Sequence, residues 1–141
     1  DMMVVNSATL KDNPALGKAL TGAWFEVVEL MNAKNAASKA ALEHMAKASG
    51  TDLAGFQAQL DTTRLFATPK EALVFATSQQ LPETMRKVAE FSFQHGLLGE
   101  GAKDTSAVGM AFANGVTSGD KGNLKLRFDP TFVQMAADAK L

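Results

Sequence analysis

The spacing of apolar residues divides the chain into one short continuous run and a succession of helical stripes. Met2-Met3-Val4-Val5 is unbroken by any polar residue, the pattern of a strand covered on both faces. It predicts one apolar N-terminal strand, and little downstream reads as its sheet partner. From Pro14 to about Asn32 the apolar positions recur at intervals of three and four: Leu16, Leu20, Ala23, Trp24, Val27 and Met31. That period sets them on one face of a long amphipathic helix, the strongest helix signal in the chain. A second helix spans about 34–48 with Ala37, Ala41, Leu42, Met45 and Ala48 inward. Lys39 and Glu43, four apart, form its exposed pair. Ser49-Gly50 stops it, and a third, capped by Thr51, runs to about Leu60 and buries Leu53, Phe56 and Leu60.

Start signals agree with this pattern. All four prolines fall where a helix can begin. Asn13-Pro14 caps and opens the long helix, and Thr68-Pro69-Lys70-Glu71 reads as a capping box for a helix to about Thr77. Pro82 opens another helix, ending at Gly96, with Leu81 in the capping position. Asp129-Pro130 caps a closing helix from Thr131 to about Ala139, with Phe132, Met135 and Ala136 inward. Between these, Ser7 to Asp12 fits one helical turn, and Thr63 to Ala67 is a connector or a short extended piece. Residues 96–122 are glycine-rich loop with a short element at Val108–Phe112, and Leu124 to Phe128 alternates like a half-buried strand. The isolated chain is expected to be mainly α, a single domain over residues 1–141.

Composition narrows the class. With 46% hydrophobic and 21% charged residues, the 141-residue chain has the balance of a folded domain. The net charge of −1 and the lack of any Lys/Arg run argue against a nucleic-acid partner. Cysteine is absent, which removes disulfides, thiolate metal sites and cysteine nucleophiles. No apolar run reaches the roughly 20 residues of a membrane-spanning helix.

Candidate chemistry is sparse. His44 and His95 fall on different helices without metal-ligand spacing and read as structural or solvated. There is no Gly-x-Ser-x-Gly elbow, and Gly96, Gly99 and Gly101 have the wrong spacing for a phosphate loop. Glu26 and Glu29 mark the solvated edge of the long helix rather than an acid–base pair, and Arg64, Arg86 and Arg127 stand apart. Trp24 lies on the apolar stripe and is assigned to the core rather than to a ligand platform. Asn6 and Ser7 differ, because they stand where an apolar strand emerges into a helix, a favoured place for ligands in open α/β folds. No catalytic residue, metal ligand or cofactor site is expected.

The segment Val4-Val5-Asn6-Ser7-Ala8-Thr9-Leu10-Lys11-Asp12-Asn13-Pro14, continuing to Leu20, resembles the return strand and following helix of solute-binding proteins. The resemblance is to the periplasmic components of ABC importers of the nitrate, sulfonate and taurine kind. Thr68-Pro69-Lys70-Glu71-Ala72, Leu81-Pro82-Glu83-Thr84-Met85, Phe91 to Leu98 and Leu126-Arg127-Phe128-Asp129-Pro130-Thr131-Phe132 follow in the similar order. The resemblance covers nearly the whole chain but only the C-terminal portion of such a protein. It implies the C-terminal part of an α/β two-lobed, periplasmic-binding-protein-like (type II) fold, with residues 2–5 as return strand. It also implies a periplasmic, non-enzymatic role, capture of a small polar or anionic solute, and delivery to an ABC permease. Its motifs are helix starts and name no solute. Two alternatives stand beside it: an enzyme of the same fold, like those that make the thiamine pyrimidine, and a free-standing helical interaction module. An unpaired apolar strand also predicts self-association through residues 2–5.

Overall fold

Side-chain caps and prolines decide where the helices begin, as the computed structural model of the chain shows for residues 2–141. Seven α-helices are present among the described residues: α1 (Ser7–Asp12), α2 (Pro14–Asn32), α3 (Ala36–Ala48), α4 (Leu53–Asp61), α5 (Pro69–Ala76), α6 (Gln80–Gln94) and α7 (Thr131–Ala137). Three short strands, β1 (Gly109–Ala111), β2 (Thr117–Ser118) and β3 (Leu124–Arg127), complete a mainly helical chain with a small mixed sheet. It divides into two compact units, residues 1–72 with 132–141, and residues 73–131.

The caps are specific. Asn6 Oδ1 accepts from the N–H groups of Ala8 and Thr9, Asn35 Oδ1 from Ser38 N–H, and Asp52 Oδ1 from Gly55 N–H. Each satisfies first-turn donors that have no partner inside the helix. Asp52, not Thr51, caps α4, because its carboxylate sits three residues before an N–H it can reach. The Thr68 box forms with a one-residue offset. Thr68 Oγ1 accepts from Glu71 N–H at 3.2 Å, and Glu71 Oε2 accepts from Ala67 N–H at 2.9 Å. Helix α6 starts at Gln80, so Pro82 is its third residue, where the missing N–H costs no helical bond. Leu81 is therefore not a cap but a buried core residue.

Further sequence expectations fail in the first unit, where Val27, Ala37 and Ala48, expected inward, are exposed. Residues 2–5 belong to no strand, and Met2, Met3 and Val4 are exposed. No described strand lies beside them: the sheet order is β2-β1-β3, formed wholly within residues 109–127. Trp24 is not in the core either, being 47% exposed. The line of α2 that faces inward runs through Gly17 and Val28, turned to one side of the line drawn from the larger apolar residues. A glycine contributes nothing to a hydrophobic period, yet Gly17 marks the contact. A Cβ there would overlap the Phe132 ring of α7, so that ring lies against bare backbone.

In the second unit the core gathers Leu81, Met110 and Phe112, with Phe75, Met85, Ala89, Leu126 and Phe128 packed around them. The Phe112 and Phe128 rings stack with centroids 4.9 Å apart. β1 pairs parallel with β3 and antiparallel with β2. Gly109 is required where β1 begins, because a Cβ would run into the carbonyl oxygens of Asp120 and Asn123. The expected element at 108–112 and the alternating segment at 124–128 are thus the central strand and one edge strand of one sheet. Asp104 starts the turn before β1. The Ser106 hydroxyl and N–H both donate to its carboxylate and hold that carboxyl below the usual range.

Two outcomes follow from this packing. Gly17→Ala should destabilise the protein by about 1–3 kcal/mol through overpacking, although alanine is the better helix former by about 1 kcal/mol. Urea unfolding checks it, and adding Phe132→Leu should recover part of the loss. Ser106→Ala should raise the Asp104 titration midpoint towards that of an ordinary aspartate, read by carboxyl NMR. The sign is that of a lowered folded-state value: the contribution is present at neutral pH and is lost as pH falls through it.

Candidate functional site

The first unit holds a groove of about 650 Å³ bounded by the end of α2, by α3, by α4 and by the connector after it. Its construction begins at the α2–α3 turn. Helix α2 ends at Asn32, whose Nδ2 donates to Val28 O at 3.0 Å. Lys34 then takes a left-handed conformation, φ 50°, an uncommon state for a side-chain-bearing residue. Asn35 reverses the direction and caps α3. Ser38, buried to 3% exposure, donates from Oγ to Met31 O at 2.9 Å and ties the two helices together.

The second wall is α4, reached through Gly50 at φ 74° and packed against α3. Met31, Leu42, Leu53, Leu60 and Leu65 give the groove its apolar lining, and Lys34, Lys39, Gln57, Asp61 and Thr63 its polar one. Lys39 pairs with Glu43 at 3.8 Å, both exposed, so the pair is weak. Thr63 Oγ1 donates to Gln59 O. The polar atoms of Asn32, Asn35 and Ser38 serve the backbone of the turn. What stays available to a visitor is apolar surface with Lys34, Gln57 and Asp61.

The residues singled out from sequence lie elsewhere. Asn6 is the cap of α1 and Ser7 its first residue, both exposed. Their place before a helix is as expected, but the strand that would have aimed them at a cleft is not formed. Asn6 Oδ1 is engaged by two backbone N–H groups, at 2.9 and 3.2 Å, while its amide NH₂ has no bond among the described residues. His95 closes α6, its Nδ1 2.8 Å from Phe91 O and its ring stacked on that of Phe91. His44 is exposed on α3. Arg64 lies over the Phe66 ring, 5.5 Å from its centroid. No three His, Asp or Glu side chains gather to hold a metal among the described residues. No described helix is long and apolar enough to cross a membrane.

Sequence reasoning missed the groove because its defining feature is a turn. The signal was Asn35 three residues before Ser38, a cap for which α3 had to begin at Ala36 and not at 34. Comparison with protein-family models, curated proteins and solved structures finds no match for the chain.

Ser38→Ala removes the donor that satisfies the Met31 carbonyl, a loss of about 1–2 kcal/mol. Denaturant unfolding should show that loss, with wider fluctuation of the α2–α3 turn in amide exchange.

Proposed function

We propose that the chain is the C-terminal portion of the solute-binding component of an ABC importer of the nitrate, sulfonate and taurine kind. In this reading the whole protein has two α/β lobes that close on a small polar or anionic solute by hinge motion and hand it to a permease at the membrane. The observation that carries the reading is the serial order of the shared segments, from Val4 through Phe132. All but Phe91 to Leu98, which covers the end of α6, contain a helix start in the structure: Asn6 before α1, Pro14 opening α2, Thr68 and Glu71 around the start of α5, Pro82 in the first turn of α6 and Asp129 before α7.

The exposed segment at residues 2–5 also supports it. Three neighbouring apolar side chains in solvent fit a strand whose sheet is made by other parts of a longer protein. Asn6 and Ser7 would then stand at the end of that strand, facing the cleft. With its oxygen held by the helix start, Asn6 would offer its amide NH₂ to the solute, a donor suited to an anion or a polar oxygen.

Two measurements test the reading. The open reading frame should continue upstream of Asp1 through two lobes' worth of sequence to a signal peptide; a start codon immediately before Asp1 overturns it. In the protein encoded by that frame, a bound solute at a hundredfold excess over its Kd should raise stability by about 2.7 kcal/mol. Asn6→Asp keeps a good cap but replaces the donor with a negative charge. It should abolish the shift given by nitrate or a sulfonate while leaving the unliganded protein as stable as before.

A further inference from the structure

We propose that Asn114 is a self-modification site, where the native β1–β2 hairpin converts the side-chain amide to a succinimide and then to aspartate and isoaspartate. The site is independent of the transport reading. It lies in the turn joining β1 to β2, where Met110 pairs with Ser118 and Ala111 with Thr117. Phe112 N–H donates to Val116 O at 2.8 Å and Val116 N–H to Ala113 O at 3.4 Å, closing the turn around Asn114 and Gly115. Asn114 at φ 60° and ψ 24°, with Gly115 at φ 74°, makes it a type I′ turn.

The asparagines divide by what their side chains and their neighbours do. Asn6 Oδ1, Asn32 Nδ2, Asn35 Oδ1 and Asn123 Nδ2 each hold a backbone group. Asn13 is followed by Pro14, which has no N–H to become a nucleophile. Asn114 is exposed, and its side chain makes no hydrogen bond among the described residues. It is also the only asparagine followed by glycine, whose nitrogen no side chain shields.

Conformation decides how the ring closes. Asn114 Cγ reaches the Gly115 nitrogen only when Cβ eclipses that nitrogen, which for an L residue means ψ of about −120°, as at the first central residue of a type II′ turn. Type II′ keeps that residue at φ of about 60° and moves the second to about −80°. Rotation of the one peptide plane between Asn114 and Gly115 therefore turns the observed conformation into the reactive one, and both are hairpin turns. Glycine accepts either sign of φ, and no atom beyond its chain neighbours lies within 4 Å of a Cβ placed on Gly115. The strands stay paired while the turn reacts.

Water and its hydroxide are the only co-reactants. Hydroxide removes the Gly115 N–H proton, the nitrogen attacks Asn114 Cγ, and the side-chain nitrogen takes up a proton and leaves as ammonia. Water then opens the imide. Opening at Cγ leaves aspartate in a normal chain, and Asp-Gly suits the same turn. Opening at the main-chain carbonyl carbon leaves isoaspartate, whose extra backbone atom disturbs the pairing of β2 with β1. Phe112, a core residue beside the turn, registers that difference.

Incubation of the folded 141-residue chain at mildly alkaline pH, followed by ammonia release and peptide mapping, tests this. The expected result is release that speeds with pH and maps to Asn114, with both products present. Asn114→Gly, which keeps a turn of the same type, should lose it. Urea well below the unfolding transition should leave the rate unchanged, because the turn reacts while folded. Amide exchange at Phe112 should be faster in the isoaspartate product than in the aspartate one. No release, release that maps elsewhere or persists in Asn114→Gly, a rate that tracks the unfolded population, or equal exchange in the two products overturns the proposal.

Discussion

The contact on which the first unit depends is the Phe132 ring against Gly17. The chain leaves that unit after residue 72 and returns to it at residue 132, so the closing helix has to find a place on α2 made long before it in sequence. Such a long closure brings an entropic cost that rises only slowly with length; what must be specific is the docking place. Gly17 supplies it by omission. With no Cβ, α2 lets an aromatic ring approach its backbone, and a single methyl group there would meet the ring across its whole edge. A glycine inside a helix costs about 1 kcal/mol relative to alanine, which burial of the ring offsets. The local weakness and the long-range contact are two aspects of one residue.

That contact also fixes the rotation of α2. Ala23, Val27 and Leu30 are turned well away from the line through Gly17 and Val28 and are exposed, whereas Trp24, seven residues after Gly17 and four before Val28, stands close to that line and is still 47% exposed. At about 100° per residue, the apolar arc of α2 is much wider than one packing face uses. A surface helix normally carries a single stripe, and a helix apolar over most of its circumference belongs between neighbours on two sides. Here one side is covered within the unit, by Phe132 at Gly17 and by the tie from Ser38 to the end of the helix.

How much was legible from sequence follows from the kind of signal. Helix starts were readable almost to the residue at Pro14, Pro69 and Thr131, because a cap or a proline acts over three or four residues of chain. The second-unit sheet was readable as pieces, at 108–112 and 124–128, but not as a sheet. Its strands are two to four residues long, and their pairing depends on Gly109 allowing the Asp120 carbonyl to approach. No periodicity encodes that. The strand at residues 2–5 and the burial of Trp24 were misjudged for a shared reason: hydrophobicity states that a surface should be covered, not what covers it. The groove was invisible because the Lys34 turn and the Ser38 tie belong to chain reversal, which leaves no stripe.

The same distinction explains why the chain identifies a scaffold more readily than a chemistry. Its polar side chains with defined partners are mostly engaged in building helix ends: Asn6, Asn35, Asp52, Thr68, Glu71, Asp104, Asp120 and Asp129 each accept from a nearby backbone N–H. A group already accepting such a bond is held in place by local structure, and its remaining hydrogen-bonding capacity is small and directional. Asn6 keeps an amide NH₂ beyond its capping oxygen, whereas the single bonded oxygen of Asp52 or Asp129 leaves only further acceptor capacity. A donor fixed by a helix start suits recognition of an oxygen-bearing solute better than proton transfer, because an amide does not titrate. Binding by such groups requires a second surface to close over the solute, and selectivity then resides in how the surfaces meet. In the transport reading proposed above, that is the physical sense in which such a helical unit would serve as half of a clamp.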